Sequence, residues 1–164
     1  MDVVVGISEY AVSSDPDDTL ITYSLGSCVG LVLHDPVAGI GGLLHAMMPV
    51  STADSGKAAM TPAMYVDSGA ARMLQEMFNL GATRPNLSAW VVGAANQLDS
   101  DNLFRIGARN HAIVRKVLWK NGILIADEET GGSISRTVTL EVGDGRAFVK
   151  SSGGVRELRP PRTR

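Results

Sequence analysis

Residues 19–33 read TLITYSLGSCVGLVL, two apolar runs on either side of Gly26-Ser27-Cys28. Each run has the length and the β-branched content of a strand, and a glycine beside a serine is typical of a turn. We therefore expect two strands joined by a hairpin. A two-residue turn at Gly26-Ser27 would put Thr22 three residue levels from Cys28, about 10 Å at ~3.3 Å per residue.

The rest of the chain alternates between strand-like runs and two helical segments. Apolar residues at the i, i+3, i+4 spacing predict helices over residues 65–80 and about 107–121, and Gly81 and Gly122 stand where these helices would end. A small, polar stretch between residues 48 and 64 is typical of a mobile surface loop. Strand-like runs cover residues 3–12, 19–25, 29–33, 40–48, 88–95, 123–127, 134–142 and 146–150.

Length and composition favour one compact domain. The chain has 164 residues, a net charge of -2 and 5% aromatic residues, which excludes a nucleic-acid binder with a basic, aromatic face. Hydrophobic residues make up 45% of it, enough for a core of its own. We assign residues 1–155 to a single domain. Residues 156–164 are rich in arginine and proline and predict a basic, disordered tail.

Cysteine content and the N-terminal sequence indicate a cytoplasmic protein. Cys28 is the only cysteine, so neither an intrachain disulfide nor a cysteine-based zinc cage can form. The chain shows no secretory leader and no run of the ~18 to 20 apolar residues that span a bilayer, so we expect no membrane insertion. It also has no phosphate-binding glycine loop, dinucleotide fingerprint or metal-spaced ligand set, and we expect no cofactor.

Cys28 is the first candidate for chemistry. Gly26, Cys28 and Gly30 have the spacing of a nucleophile elbow with cysteine at its centre, although that elbow needs a helix after the nucleophile and a strand is expected here. The flanking glycines allow a sharp turn and leave room for a substrate. The alternative is a small buried apolar residue, the usual role of a lone intracellular cysteine.

A nucleophilic cysteine needs a base, and the chain has three histidines. His34 precedes a turn and should be solvated, whereas His111 should lie partly exposed on a helix. His45 lies in an apolar run, so it is either a satisfied core histidine or a base that faces the thiol. Thr22 is either an ordinary strand residue or the group that orients His45. The consecutive acidic residues 127–129 are expected at a solvated edge.

Five motifs resemble, in order and in spacing, the CheD family of chemoreceptor glutamine deamidases. They are Val5-Gly6-Ile7-Ser8-Glu9-Tyr10-Ala11-Val12, Leu25-Gly26-Ser27-Cys28-Val29, His45-Ala46-Met47-Met48-Pro49, Ile106-Gly107-Ala108-Arg109-Asn110 and Glu129-Thr130-Gly131-Gly132. The resemblance covers almost the whole chain. One segment departs from it: the family tends to have Gly-Gly-Ala and a methionine two residues on, where this chain has Gly93-Ala94-Ala95-Asn96-Gln97-Leu98.

This resemblance implies a fold, a reaction and three site residues. The fold would be α+β, a layered β-sandwich core with two main helices outside, similar to cysteine-dependent deamidase toxins. Cys28 would be the nucleophile, His45 the base and Thr22 the residue that orients the base. The reaction would convert glutamine side chains to glutamate through a cysteine thioester.

The implied partners are the cytoplasmic helices of methyl-accepting chemoreceptors and the CheC phosphatase of the response regulator. An adaptor without catalytic activity, which binds receptors or that phosphatase, is the alternative function. A second alternative, a cysteine hydrolase of small esters or lactones, is disfavoured because no helix is expected after Cys28.

Overall fold

Two five-stranded sheets make up most of the computed structural model, which describes residues 1–96 and 105–162. Sheet I consists, in spatial order, of β1 (Asp2–Val4), β3 (Thr19–Leu25), β8 (Arg136–Glu141), β9 (Ala147–Ser151) and β10 (Gly154–Glu157). Sheet II consists, in spatial order, of β2 (Glu9–Ser13), β5 (Ile40–Ala46), β4 (Val29–Asp35), β6 (Ser88–Gly93) and β7 (Leu124–Thr130). Both sheets are mixed, because β1 pairs with β3 and β6 with β7 in parallel while the other pairs are antiparallel.

The two long helices lie against sheet II. The helices are α1 (Ser55–Met60), α2 (Val66–Asn79) and α3 (Ile106–Lys120), and single turns of 3-10 helix occur at Ser51–Ala53, Pro62–Met64 and Arg84–Asn86. The long helix α2 packs on β2 and β5, and α3 packs on α2, β4, β6 and β7. Within the described residues, no helix is long and apolar enough to cross a membrane. The expected α+β class is confirmed, with two main helices at the predicted places.

Sheet II is the middle layer and is buried on both faces. One apolar cluster, with Leu31 and Leu44 at its centre, fills the space between this sheet and the helices. A second cluster, with Leu25, Val32 and Val138, fills the space between the two sheets. Every residue of β4 and β5 is buried. A strand covered on both faces has no polar side to alternate with, which explains the continuous apolar runs in the sequence.

The expected hairpin between residues 25 and 29 is wrong. Strand β3 belongs to sheet I and β4 to sheet II, so the chain crosses from one sheet to the other at Gly26-Ser27-Cys28. The single strand expected over residues 3–12 is also wrong, because β1 joins sheet I and β2 joins sheet II. The surface loop expected between residues 48 and 64 instead contains α1 and two 3-10 turns.

The beginning of the basic tail, residues 156–159, packs against the rest of the chain. Arg156 lies in β10, and Leu158 is only 1% exposed. Asp127, expected at a solvated edge, is buried and accepts hydrogen bonds from the Arg156 and Arg159 guanidinium groups at 3.0 and 2.9 Å. Burial raises the pKa of Asp127, but the hydrogen bonds from the two arginines outweigh burial and hold the pKa well below its usual range. The expectation of a solvated Asp127 is therefore wrong, and the division into a domain over residues 1–155 and a tail over 156–164 stays a prediction.

Candidate active site

Cys28 and His45 share the face of sheet II that looks toward sheet I. Gly30 lies opposite His45 in the β4–β5 register, and Cys28 stands two residues before Gly30. Cys28 lies in the bend just before β4, and its position in the chain puts it diagonally across from His45 at the end of the β4–β5 pair. Consistent with this face, the partly buried Cys28 packs against the apolar cluster between the sheets.

Gly30 has no side chain, which lets the two sheets pack closely beside Cys28 and His45. A Cβ at this position would lie 2.8 Å from the Leu25 Cδ1 atom and 3.3 Å from the Val138 Cγ1 atom. Both contacts are closer than packed carbon atoms tolerate, so only glycine fits without moving its neighbours. The Gly-x-Cys-x-Gly spacing thus serves close packing of the two sheets here, and no helix follows Cys28 as a nucleophile elbow would require.

Thr22 reaches His45 from the opposite sheet. Leu20 and Thr22 alternate inward along β3, and a register irregularity between Thr22 and Leu25, with Ser24 at φ 57°, brings Leu25 to the same side. The Thr22 Oγ1 atom lies 2.7 Å from His45 Nδ1. Thr22 and His45 are 0% and 1% exposed, so this contact is closed to water. The structure thus brings the predicted base and its predicted orienting residue into contact. The contact forms between the two sheets and does not depend on the expected hairpin.

The partners of the Thr22 hydroxyl fix the protonation of the His45 ring. This hydroxyl also lies 2.7 Å from the backbone carbonyl oxygen of Val5, which can only accept a hydrogen bond. A hydroxyl has one proton, so Thr22 donates to Val5 and accepts from the Nδ1–H of His45. The neutral imidazole then carries its proton on Nδ1 and leaves Nε2 as a bare acceptor.

The bare nitrogen is buried and ready to take a proton. Among the described residues, His45 Nε2 has no hydrogen-bond partner, and His45 lies on the sheet face whose apolar cluster Cys28 packs against. Catalytic hydrogen bonds are often long before a substrate binds. Burial lowers the pKa of His45, because the charged imidazolium loses more solvation than the neutral ring. His45 is therefore a neutral base at pH 7.

Backbone and side-chain donors hold the segment that carries Cys28. Three successive carbonyl oxygens, those of residues 26, 27 and 28, accept hydrogen bonds from Ala95 N, Asn110 Nδ2 and Ala94 N at 2.9, 3.0 and 2.8 Å. Gly93 has φ +97° and would place a Cβ 2.6 Å from the Cys28 carbonyl oxygen, so glycine is required there. The nucleophile candidate thus lies on a fixed segment.

Comparison with known proteins places the chain in a family. A family model described as CheD chemotactic sensory transduction matches residues 47–151, more than half of the chain. The chain belongs to the CheD family. It is 46% identical over 158 residues to the probable chemoreceptor glutamine deamidase CheD 1 of Syntrophus aciditrophicus, covering 96% of this chain and 99% of the relative.

Two further CheD relatives match over similar lengths. A probable chemoreceptor glutamine deamidase CheD of Solibacter usitatus is 43% identical, over 96% of this chain and 94% of its own. The chemoreceptor glutamine deamidase CheD of Thermotoga maritima is 37% identical, over 96% of this chain and 97% of its own. Among solved structures, Neisseria meningitidis protein NMB0706 is similar at a TM-score of 0.44 and 9% identity, over 79% of this chain and 63% of that one.

In the segment expected to depart from the family pattern, the Ala94 side chain lies on the helix side of sheet II. Ala94 has φ +51°, a left-handed conformation that glycine adopts more easily, and is 2% exposed. It packs in the apolar cluster beside the helices, away from the face that Cys28 and His45 share. Residues 97 and 98, also part of this departure, lie outside the described residues.

The other two histidines lie elsewhere in this CheD structure. His34 was expected to be solvated, but it is 4% exposed and its Nε2 atom lies 2.8 Å from the Val142 carbonyl oxygen, so that prediction is wrong. His111 is partly exposed on α3 and lies 3.0 Å from a Glu128 carboxylate oxygen, as a helix surface residue would.

Sequence reasoning missed two groups at the site, the Val5 carbonyl and Asn110. Both lie within motifs that carry the family resemblance, which is the only signal that pointed to them. Every residue has a backbone carbonyl, so the identity of Val5 does not reveal that its carbonyl accepts a hydrogen bond at the site. An asparagine on a helix is usually a surface residue, and only the fold shows that Asn110 is 0% exposed.

Proposed function

We propose that this chain hydrolyses the side-chain amide of glutamine residues in methyl-accepting chemoreceptors, with Cys28 as nucleophile, His45 as base and Thr22 as the residue that orients the base. The observation that carries the proposal is the buried His45, whose Nδ1–H is committed to Thr22 and whose bare Nε2 shares a face with Cys28. The substrate class comes from the names of the CheD relatives.

The first half of the reaction forms a thioester and releases ammonia. The Cys28 thiol gives its proton to His45 Nε2, and the thiolate attacks the carboxamide carbon of glutamine. The carboxamide oxygen takes up the electron pair of its double bond, and the backbone amides near Ser27 and Cys28 are our candidates for stabilising this oxyanion. The nitrogen takes the proton from His45 Nε2, and as the double bond re-forms the C–N bond breaks and ammonia departs.

The second half restores the enzyme. Neutral His45 Nε2 accepts a proton from a water molecule as its oxygen attacks the thioester carbon. Collapse of the second tetrahedral intermediate breaks the C–S bond, glutamate is left on the receptor, and the Cys28 sulfur recovers the proton from His45. One water is consumed and one ammonia released for each turnover, and His45 ends as it began.

Thr22 contributes orientation and not charge. Its hydroxyl accepts from Nδ1–H in both the neutral and the charged ring, so the imidazole does not need to turn when Nε2 takes a proton. A carboxylate in this place would stabilise the imidazolium and strengthen the base. A neutral hydroxyl, together with burial, keeps His45 easily deprotonated. This suits a base that must return its proton twice in one turnover.

Receptor substrates place the reaction in the cytoplasm, on the helical cytoplasmic region of the receptor. We propose the CheC phosphatase as a further partner, on family resemblance alone. No nucleic-acid partner is expected, because the net charge of -2 offers no attraction to phosphates.

The test is mass spectrometry of a receptor cytoplasmic fragment incubated with the protein. We expect individual glutamines to gain about 1 Da, the difference between an amide and an acid, with release of ammonia. Cys28→Ala should abolish this gain while leaving receptor binding and the melting temperature nearly unchanged. If wild type binds the fragment but never alters its mass, the protein is an adaptor and the proposed reaction is wrong.

A further inference from the structure

Asn110 is a wholly buried polar residue in the second turn of α3, and the reaction described above assigns it no role. Its Nδ2 atom donates to two backbone carbonyl oxygens, those of Ser27 and Met47, each at 3.0 Å. Ser27 directly precedes Cys28, and Met47 follows His45 by two residues. We propose that Asn110 is a positioning residue that holds the nucleophile and the base in register, an inference that rests on the proposed deamidation.

The chemistry of the amide fixes which way the Asn110 side chain points. Its nitrogen carries two protons and faces two carbonyl oxygens, so both donors are used. The reverse orientation would bring three oxygens together with no proton between them. The Oδ1 atom is left buried without a hydrogen-bond partner among the described residues. Asn110 thus satisfies two carbonyl groups while its own oxygen stays unsatisfied. This balance indicates that the residue contributes to the geometry of the site.

The bond to Ser27 completes the support of the nucleophile segment. The carbonyl oxygens on either side, of Gly26 and Cys28, accept from backbone amides, whereas that of Ser27 accepts from the Asn110 side chain. A trans peptide is planar, so fixing the Ser27 carbonyl also fixes the direction of the Cys28 N–H, which points the opposite way. One side chain therefore sets both the place of Cys28 and the direction of the adjacent amide.

The bond to Met47 ties the same side chain to the end of β5. Residues 47 and 48 are also fixed from the other side, because both of their amides donate to the Met64 carbonyl oxygen at 2.9 Å. Since Asn110 contacts Ser27 and Met47 at once, it sets the distance between the segment that carries Cys28 and the segment that carries His45. The β4–β5 pairing does not make this link, because β4 begins only at Val29.

Gly107, one helical turn before Asn110, lets α3 come close enough for this clamp. A Cβ on Gly107 would overlap the Ala95 carbonyl oxygen and lie 2.7 Å from that of Ala94. The first turn of α3 therefore packs directly on the segment whose amides hold Gly26 and Cys28. Residues three apart share a helix face, so the close approach at Gly107 carries Asn110 to Ser27 and Met47. The motif over residues 106–110 acts as a unit.

The test compares Asn110→Ala and Asn110→Asp with Asn121→Ala. The control removes an asparagine from the C-terminal end of the same helix, where its side chain donates to the Val117 carbonyl oxygen. Two quantities are measured on folded protein: steady-state deamidation of a receptor fragment, and the rate of Cys28 alkylation by iodoacetamide across pH. For Asn110→Ala we expect kcat to fall about ten- to a hundredfold with KM within about twofold.

Alkylation gives a readout that does not depend on the receptor. In Asn110→Ala the rate at pH 7 should fall toward that of a cysteine with no base beside it, because a displaced His45 Nε2 no longer accepts the thiol proton as the sulfur attacks the reagent. Asn110→Asp keeps the shape but, when ionised, has no proton to donate, so it should be at least as impaired. Asn121→Ala should match wild type in both measurements.

A folded Asn110→Ala or Asn110→Asp with wild-type kcat and alkylation profile would overturn the inference. If neither variant folds, Asn110→Ser retains one hydroxyl donor, and its kcat should lie clearly below that of wild type; an unchanged kcat would be equally fatal. If wild type itself does not deamidate receptors but its alkylation still depends on Asn110, the proposed function fails and the positioning role stands.

Discussion

Removing the Thr22 hydroxyl group tests whether its two hydrogen bonds organise the site. Thr22→Val keeps the β-branched shape, so no cavity forms, but the Val5 carbonyl and the His45 Nδ1–H both lose their partner. Each of these two buried groups costs about 1–3 kcal/mol when left unsatisfied, so we expect the free energy of unfolding to fall by about 2–6 kcal/mol. The ring also loses the contact that keeps its proton on Nδ1. If that proton moves to Nε2, it finds no acceptor in the native site, and Nε2 can no longer act as the base.

Turnover should fall further than binding in this variant. We expect a loss of about tenfold to a thousandfold, equivalent to about 1.4–4 kcal/mol, with little change in affinity for the receptor. The loss should be smaller than for Cys28 or His45, because a neutral hydroxyl orients the imidazole without stabilising its charge. The assay is single-turnover deamidation of a receptor fragment with excess enzyme, at a temperature where circular dichroism shows the variant to be folded.

Two matched variants separate orientation from a general loss of stability. Thr22→Ser keeps the hydroxyl and should retain most of the activity. Thr139→Val makes the same change on the neighbouring strand β8, at a position that pairs with Ile21 and lines the outer surface of sheet I, and should behave like wild type. A folded Thr22→Val with the wild-type rate would refute the assignment and show that another group orients His45.

Three further outcomes follow from the same contacts. Because burial lowers the pKa of His45, the acid limb of kcat/KM should lie below pH ~6.5, the ordinary histidine value, and a limb above it would contradict a buried neutral base. Asp127→Asn removes the charge that holds Arg156 and Arg159, and should cost about 2 kcal/mol in urea unfolding at pH 7. Since the folded-state pKa of Asp127 is depressed, that contribution is complete above pH ~4 and disappears as pH falls below it, so variant and wild type should converge in acid. Gly30→Val should abolish activity and destabilise the fold, because its side chain would collide with Leu25 and Val138; a melting temperature equal to that of wild type would show that the two sheets yield there.

Local patterns in the sequence predicted most elements but not how the sheets are assembled. The helix over residues 65–80 follows from its apolar spacing and closing glycine, and the structure has it at Val66–Asn79. The crossing at Gly26-Ser27-Cys28 has the composition of a hairpin turn, and nothing local shows that β3 pairs with β1 and β8 instead of with β4. Strand pairing is a property of the whole sheet, which periodicity does not encode.

Local sequence patterns also do not show which polar residues are buried. His34 and Asp127 stand beside turn-forming or acidic neighbours, which favours exposure, yet each is buried because a distant residue supplies its partner. The apolar neighbours of His45 in sequence indicate that its ring needs a partner. Spacing makes Thr22 a candidate and family resemblance favours it, but the contact with the ring depends on how the two sheets face each other.

The most direct test of the account is to trap the thioester on Cys28. Wild-type protein is incubated with a receptor fragment and hydroxylamine, and the modified glutamines are identified by mass spectrometry. Hydroxylamine attacks the thioester carbon in place of water, so we predict glutamyl hydroxamate at the same positions that otherwise become glutamate, and neither product with Cys28→Ala. Glutamate formed by Cys28→Ala at the wild-type rate would contradict the account.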